Sequence, residues 1–193
     1  MSTQPDGAEP TDWSAVLAAT LTGQGTTSAR AFEEVYVALA PSVASYLRMS
    51  SVTDVEGLTN EVFLQVHQGL PRFTGDWPSF RSWVFTIAHH RMVDETRRSM
   101  RRPHQVPMDD LLERPGGDVE LDALEALSDA WLRGLLDGLS ADQRAVLLLR
   151  IAGDLPLERV AQVLGKSIGA VKALQHRALA NLRRSLSPQE TGA

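Results

Sequence analysis

Lys172, His176 and Arg177 fall within LERVAQVLGKSIGAVKALQHRAL, residues 157–179, where one acid, Glu158, stands against five cationic or titratable side chains. Cationic side chains spaced in this way are suited to holding phosphates and reading base edges. At helical spacing, Gly169, Lys172, Ala173, His176 and Arg177 share one face. Their side chains are short or basic, which suits a major groove about 12 Å wide. The rest of the segment supplies what must position that face. Ala161 is small enough for two helices to approach, and Gly165 can take the positive φ of a tight turn. Val171 and Leu174 can pack the second helix onto Val160 and Leu164, and Ser167 can cap it. This is the pattern of a helix-turn-helix. A plain helical hairpin shares the spacing, but from Val160 to Gln189 no acid occurs, and a duplex rewards such a cationic surface. Lys172 and Arg177 are the base or phosphate readers; His176 fits a phosphate contact or a surface position better than base reading.

Other chemistry is poorly provided for. The chain of 193 residues has no cysteine, which excludes disulfides, thiolate nucleophiles and zinc-thiolate sites. His89 and His90 are adjacent and point about 100° apart on a helix, and the one carboxylate at i+4 from either, Asp94 from His90, makes a pair and not a metal-binding set. No catalytic residue, metal site or cofactor is expected. No apolar run approaches the roughly 18 to 20 residues of a membrane span, and the N-terminus MSTQPDGAEPTDW lacks a signal pattern; a cytoplasmic protein without membrane insertion is expected.

Charge is strongly segregated although the net value is only −5. Between Arg72 and Arg102, seven arginines face three acids, a net +4. Between Asp109 and Asp142, ten acids face two arginines, a net −8. Two basic blocks flanking an acidic one suggest two nucleic-acid contacts joined by an acidic spacer.

The periodicity predicts an all-α chain: two small helical domains joined by a flexible linker, with the helix-turn-helix in the C-terminal one. Residues 1–29, rich in Gly, Thr, Ser and Pro, read as a flexible tail in which a short helix around 13–21 is possible. Residues 30–101 form the first domain. Its first helix carries Phe32, Val35, Tyr36, Leu39, Val43, Tyr46 and Leu47, with Pro41 expected to kink or divide it. A second helix over 54–70 and a third over 78–101 follow, the third with Phe80, Trp83, Val84, Ile87 and Ala88 as its core stripe and Pro78 in its first turn. Prolines and glycines at 103, 107, 115, 116 and 117 mark a linker over 102–119. The second domain spans 120–186, with Leu121, Leu124, Ser128, Trp131, Leu135 and Leu139 in helical spacing and a capping box at Ser140-Ala-Asp-Gln143. Residues 187–193 form a second tail.

Three segments in order, GLTNEVFLQVHQGLPRF (57–73), FRSWVFTIAHHRMVDETRR (80–98) and residues 139–184 around the helix-turn-helix, resemble the extracytoplasmic-function sigma factors of bacterial RNA polymerase. The resemblance spans about 32–184. It implies a non-enzymatic subunit for transcription initiation whose first domain binds the polymerase clamp and melts and reads the minus-ten promoter element. Its second domain would bind the polymerase flap and read the minus-thirty-five element through Ser167, Gly169, Lys172, Ala173, His176 and Arg177. On the same basis Asn60, Glu61 and Gln65 face the clamp, and Trp77, Phe85, His90, Arg91, Asp94, Arg97 and Arg98 lie on the minus-ten surface. Trp77, expected on a loop, and Phe85, off the core stripe, would stack on unpaired bases; Arg91, Arg97 and Arg98 would meet phosphates. The acidic linker would run through polymerase channels with its carboxylates mimicking phosphate charge. A dedicated anti-sigma factor is implied as a further partner. Gly57, Asn60, His90, Glu95-Thr96 and Pro156 depart from the family pattern. The alternative is a stand-alone helix-turn-helix regulator with an N-terminal sensing or partner-binding domain, which would dimerise on duplex DNA.

Overall fold

The computed structural model describes residues 11–101 and 130–186; among them there is no strand. The expected linker and the 187–193 tail lie outside the described residues. Helices α1 (Trp13–Thr22), α2 (Thr26–Met49), α3 (Val55–Gly69) and α4 (Trp77–Arg101) build the first half, with a 3-10 turn at Leu70–Arg72. Helical residues 130–137 (α5), α6 (Ala141–Ile151), α7 (Leu157–Leu164) and α8 (Ile168–Leu186) build the second.

Local sequence accounts for the boundaries. Asp54 opens α3 by accepting the Gly57 N–H at 2.8 Å. Asp76 opens α4 by accepting the Ser79 N–H at 3.0 Å. Hydrogen bonds from Ser79 hold the Asp76 carboxyl below the usual carboxylate range. The capping box of α6 forms as expected, Ser140 Oγ accepting from Gln143 N and Gln143 Oε1 accepting from Ser140 N.

Burying the apolar stripes then assembles the halves. In the first, Val35, Leu39, Val43, Tyr46 and Leu47 of α2 meet Leu58, Val62 and Val66 of α3 and Phe80, Val84, Phe85 and Ala88 of α4 in one core. In the second, Val146 and Leu149 of α6 join Leu155, Val160, Val163, Val171 and Ala178. Helix α4 packs on α7 and α2 on α6, so the two halves touch.

Three expectations are corrected. The short helix allowed for around 13–21 is present as α1, and α2 already starts at Thr26, so this part of the expected 1–29 tail is folded; Leu17 and Thr20 are buried, and Ser28 Oγ donates to Thr20 O at 3.0 Å, tying α1 onto α2. Pro41 does not divide α2, which runs unbroken for 24 residues. Pro41 is exposed, as is Val37, whose carbonyl loses its partner there, so water can satisfy it. Finally, Trp131, which shares its helical spacing with the buried Leu139, is itself 61% exposed.

Candidate nucleic-acid interface

The turn between α7 and α8 has the geometry its sequence requires. Gly165 ends α7 at φ +61° and ψ +33°, a left-handed conformation that favours glycine. The Lys166 N–H donates to Ala161 O at 2.9 Å and the Gly165 N–H to Gln162 O at 3.2 Å, closing the end of α7. Ser167 Oγ accepts from the Ala170 N–H at 3.2 Å, so its hydroxyl caps α8. Val160, Ala161 and Val171 are buried between the helices. On the opposite side Gly169, Lys172, Ala173, His176 and Arg177 are all exposed. They form one continuous stripe of small and basic side chains, as their spacing predicts. The Arg177 Nε donates to Ala173 O at 3.2 Å, which lays the guanidinium along that stripe. Lys166 is engaged elsewhere, 2.9 Å from the Asp142 carboxylate of α6.

The residues expected on the minus-ten surface are dispersed. Phe85 is fully buried, its ring edge-on to Tyr46 at 5.9 Å, and it is unavailable to a base. Helix α4 packs against α2, α3 and α7, so its buried sector is wider than the stripe inferred from the sequence and takes in Phe85, leaving Trp83 and Ile87 only half-buried. Trp77 is the first residue of α4 rather than part of a loop. It is half-buried and stacks on Phe80 at 5.7 Å. Arg91 turns away from any phosphate toward α3: its Nε donates to Gln65 Oε1 at 2.9 Å and its Nη1 lies 3.9 Å from Glu61. Arg98 pairs with Glu95 at 3.6 Å. His90, Asp94 and Arg97 are exposed and line a cleft of about 500 Å³ whose other wall is Gln162, Val163, Leu164 and Gly165.

On α3, Asn60 and Glu61 are exposed, while Gln65 is half-buried and occupied by Arg91. The Tyr36 hydroxyl donates to Asn60 Oδ1 at 3.3 Å, beside a shallow groove between α2 and α3 floored by Val37, Ala40 and Ala44.

Sequence reasoning missed the contacts that join the halves. Arg81 Nε donates to Gly153 O at 2.7 Å, Arg159 Nη2 to Ser79 Oγ at 2.9 Å and Arg144 Nη1 to Ser51 Oγ at 3.2 Å. Nothing in helical periodicity signals a partner 72 to 93 residues away. His89 was also missed. Tyr46, whose burial pushes its pKa far up and keeps its hydroxyl protonated, meets His89 Nδ1 at 2.8 Å. Burial, with His90 beside it, pushes the His89 pKa down to about 4.

The two halves correspond to known modules. The sigma-70 region 2 family model matches residues 35–102 and the sigma-70 region 4 model residues 135–184. The ECF RNA polymerase sigma factor ShbA of Streptomyces griseus is 42% identical over 133 residues, covering 67% of this chain and 70% of that protein. The chain belongs to the ECF RNA polymerase sigma factors. The ECF sigma factor SigD of Mycobacterium tuberculosis is similar at 33% identity, over 79% of this chain and 76% of its own. Among solved structures, CnrH in complex with the cytosolic domain of CnrY is similar at TM-score 0.67 and 26% identity, covering 91% of this chain and 97% of that one. A region 2 module preceding the helix-turn-helix displaces the reading as a stand-alone regulator. Among the described residues of this sigma factor, no helix is long and apolar enough to cross a membrane.

Proposed function

We propose that this sigma factor directs initiation by docking region 2 on core RNA polymerase and placing α8 in the major groove of the minus-thirty-five element. It acts in the cytoplasm as a non-enzymatic subunit. The observation that carries the reading is the exposed stripe of Gly169, Lys172, Ala173, His176 and Arg177 on a helix held by a left-handed Gly165. Lys172 and Arg177 make the charged contacts; Gly169 and Ala173 let the helix backbone come close to the bases. Ser167 reaches the duplex only through its exposed position at the start of α8, because its hydroxyl serves as the cap.

For region 2, Asn60 and Glu61 face the polymerase clamp, and Gln65 supports that face by holding Arg91. Trp77, His90, Asp94 and Arg97 form the minus-ten surface, with Arg98 at its edge; Phe85 is core. Because α7 walls the cleft in front of His90, Asp94 and Arg97, the two halves separate when the holoenzyme forms. The 102–119 segment then tethers them, making the second DNA contact effectively intramolecular. The similar sigma factor RpoE was solved in complex with the anti-sigma factor NepR, in keeping with an anti-sigma factor as a further partner.

The test is transcription with purified chain, core RNA polymerase and a promoter template. Lys172→Ala and Arg177→Ala should each reduce promoter-specific transcripts about 5- to 150-fold, the effect of losing a base-edge contact of about 1–3 kcal/mol, with binding to core polymerase unchanged. Loss of polymerase binding instead would refute this division of labour.

A further inference from the structure

Helix α1 lies ahead of the region 2 match, which begins at residue 35. It sits mainly on α2, yet its first residue crosses to α4: the Trp13 ring stacks on Trp77 with centroids 4.7 Å apart and planes 13° from parallel. Trp77 in turn is stacked on Phe80 at 18°. A near-parallel indole at that separation is in the position an unpaired base takes on an aromatic side chain.

The electrostatics of the segment match that geometry. Residues 1–29 contain Asp6, Glu9 and Asp12 and no Lys or Arg, and α1 itself is uncharged. A DNA-binding extension would carry bases; this one carries none, and Asp12 caps α1 through the Ser14 and Ala15 N–H groups beside the Trp13 ring. The joint to α2 is only Gly23-Gln24-Gly25, with Gly25 at φ +58°, where a side chain would be strained and a glycine can pivot. Its anchorage lies on α2, through buried Leu17 and Thr20, the half-buried Val16 and Leu21 and the Ser28 hydrogen bond, whereas on α4 it rests chiefly on the Trp13 stack.

We infer that α1 is a built-in cap in which Trp13 occupies the base-stacking face of Trp77, so that single-stranded promoter DNA must displace it. The inference rests on the assignment of Trp77 to the minus-ten surface. Its consequence is that promoter melting competes with an intramolecular contact present at high effective concentration, which restrains opening in the free sigma factor.

The test uses the full chain and a fluorescent single-stranded oligonucleotide carrying a minus-ten element, read by anisotropy, with thermal melts to verify folding. Trp13→Ala should raise affinity about 3- to 10-fold, the value of one aromatic stack, and Trp13→Phe should stay near wild type. Leu17→Ala, which loosens α1 while keeping both indoles, should also raise affinity. Trp77→Ala should lower it. Unchanged or weaker binding by Trp13→Ala, with Trp77→Ala still defective, overturns the cap and leaves the minus-ten assignment standing; a Trp77→Ala without effect removes both. Since Trp13→Ala alters a half-exposed ring in a first helical turn, a second readout is independent of it. In wild-type chain labelled with 5-fluorotryptophan, the Trp13 fluorine resonance should move to its solvent-exposed position on adding oligonucleotide. A resonance that stays in place also overturns the cap.

Discussion

Gly57 departs from the family pattern, and its surroundings supply a reason. A Cβ built on Gly57 would lie 2.2 Å from Asp54 Oδ2, and Asp54 is the residue that caps α3 through the Gly57 N–H. Replacing Gly57 by Ala gains about 1 kcal/mol of helix propensity but pushes aside a cap worth about 1 kcal/mol. Gly57→Ala should therefore leave the melting temperature nearly unchanged, whereas Gly57→Ala with Asp54 already changed to Ala should stabilise relative to Asp54→Ala alone. A double-mutant cycle in denaturant measures the difference. His89 sets a second residue-scale outcome. Its pKa in the fold, about 4, is below the ordinary histidine value of 6.5, so below pH 6.5 the unfolded chain takes up a proton that the folded chain refuses. Stability should fall as pH drops from about 6.5 to about 4, with a slope approaching 1.4 kcal/mol per pH unit from this group, and level off below that. His89→Gln should flatten that limb of the curve.

At the scale of elements, the helix-turn-helix was legible because everything that specifies it is local. Ala161, Gly165, Ser167 and Val171 lie within eleven residues and act through backbone conformation, capping and a two-helix contact. Such signals survive in a sequence without knowledge of its neighbours. The surface proposed for the minus-ten element was less legible for the opposite reason. Whether Phe85 faces a base or the core depends on how many helices surround α4, and Tyr46, its partner, is 39 residues earlier in the chain. The stacking of Trp77 likewise depends on a helix from the segment that composition marked as tail. Pro41 leaves α2 undivided, and the carbonyl it frees, that of Val37, is on a side of the helix open to water. The turn itself is testable. No atom lies within 4 Å of a Cβ placed on Gly165, so Gly165→Ala isolates the backbone penalty of a left-handed residue. A loss of about 1–2 kcal/mol in urea unfolding is expected, without loss of core polymerase binding by the folded fraction.

At the scale of the molecule, the arrangement of the two halves decides which surfaces DNA can reach. The α8 stripe is open, but α7 faces the His90, Asp94 and Arg97 side of α4. Three arginine hydrogen bonds hold that arrangement: Arg81 to Gly153, Arg159 to Ser79 and Arg144 to Ser51. Two of these end on groups close to Trp77, because Ser79 and Arg81 lie in the first turns of α4. Hydrogen bonds from charged donors contribute about 1.5–3 kcal/mol when buried, and less at these partly exposed positions. Arg81→Ala combined with Arg159→Ala should therefore shift the chain toward separated halves while each half keeps its own core. Small-angle scattering should show a larger radius of gyration, and single-stranded minus-ten DNA should bind more tightly. The Trp13 cap is untouched by these changes, so adding Trp13→Ala should raise affinity again by its own factor. Scattering identical to wild type would mean that the apolar cluster running from α4 into α7 holds the halves together without the arginines, and that the barrier to opening resides in that cluster.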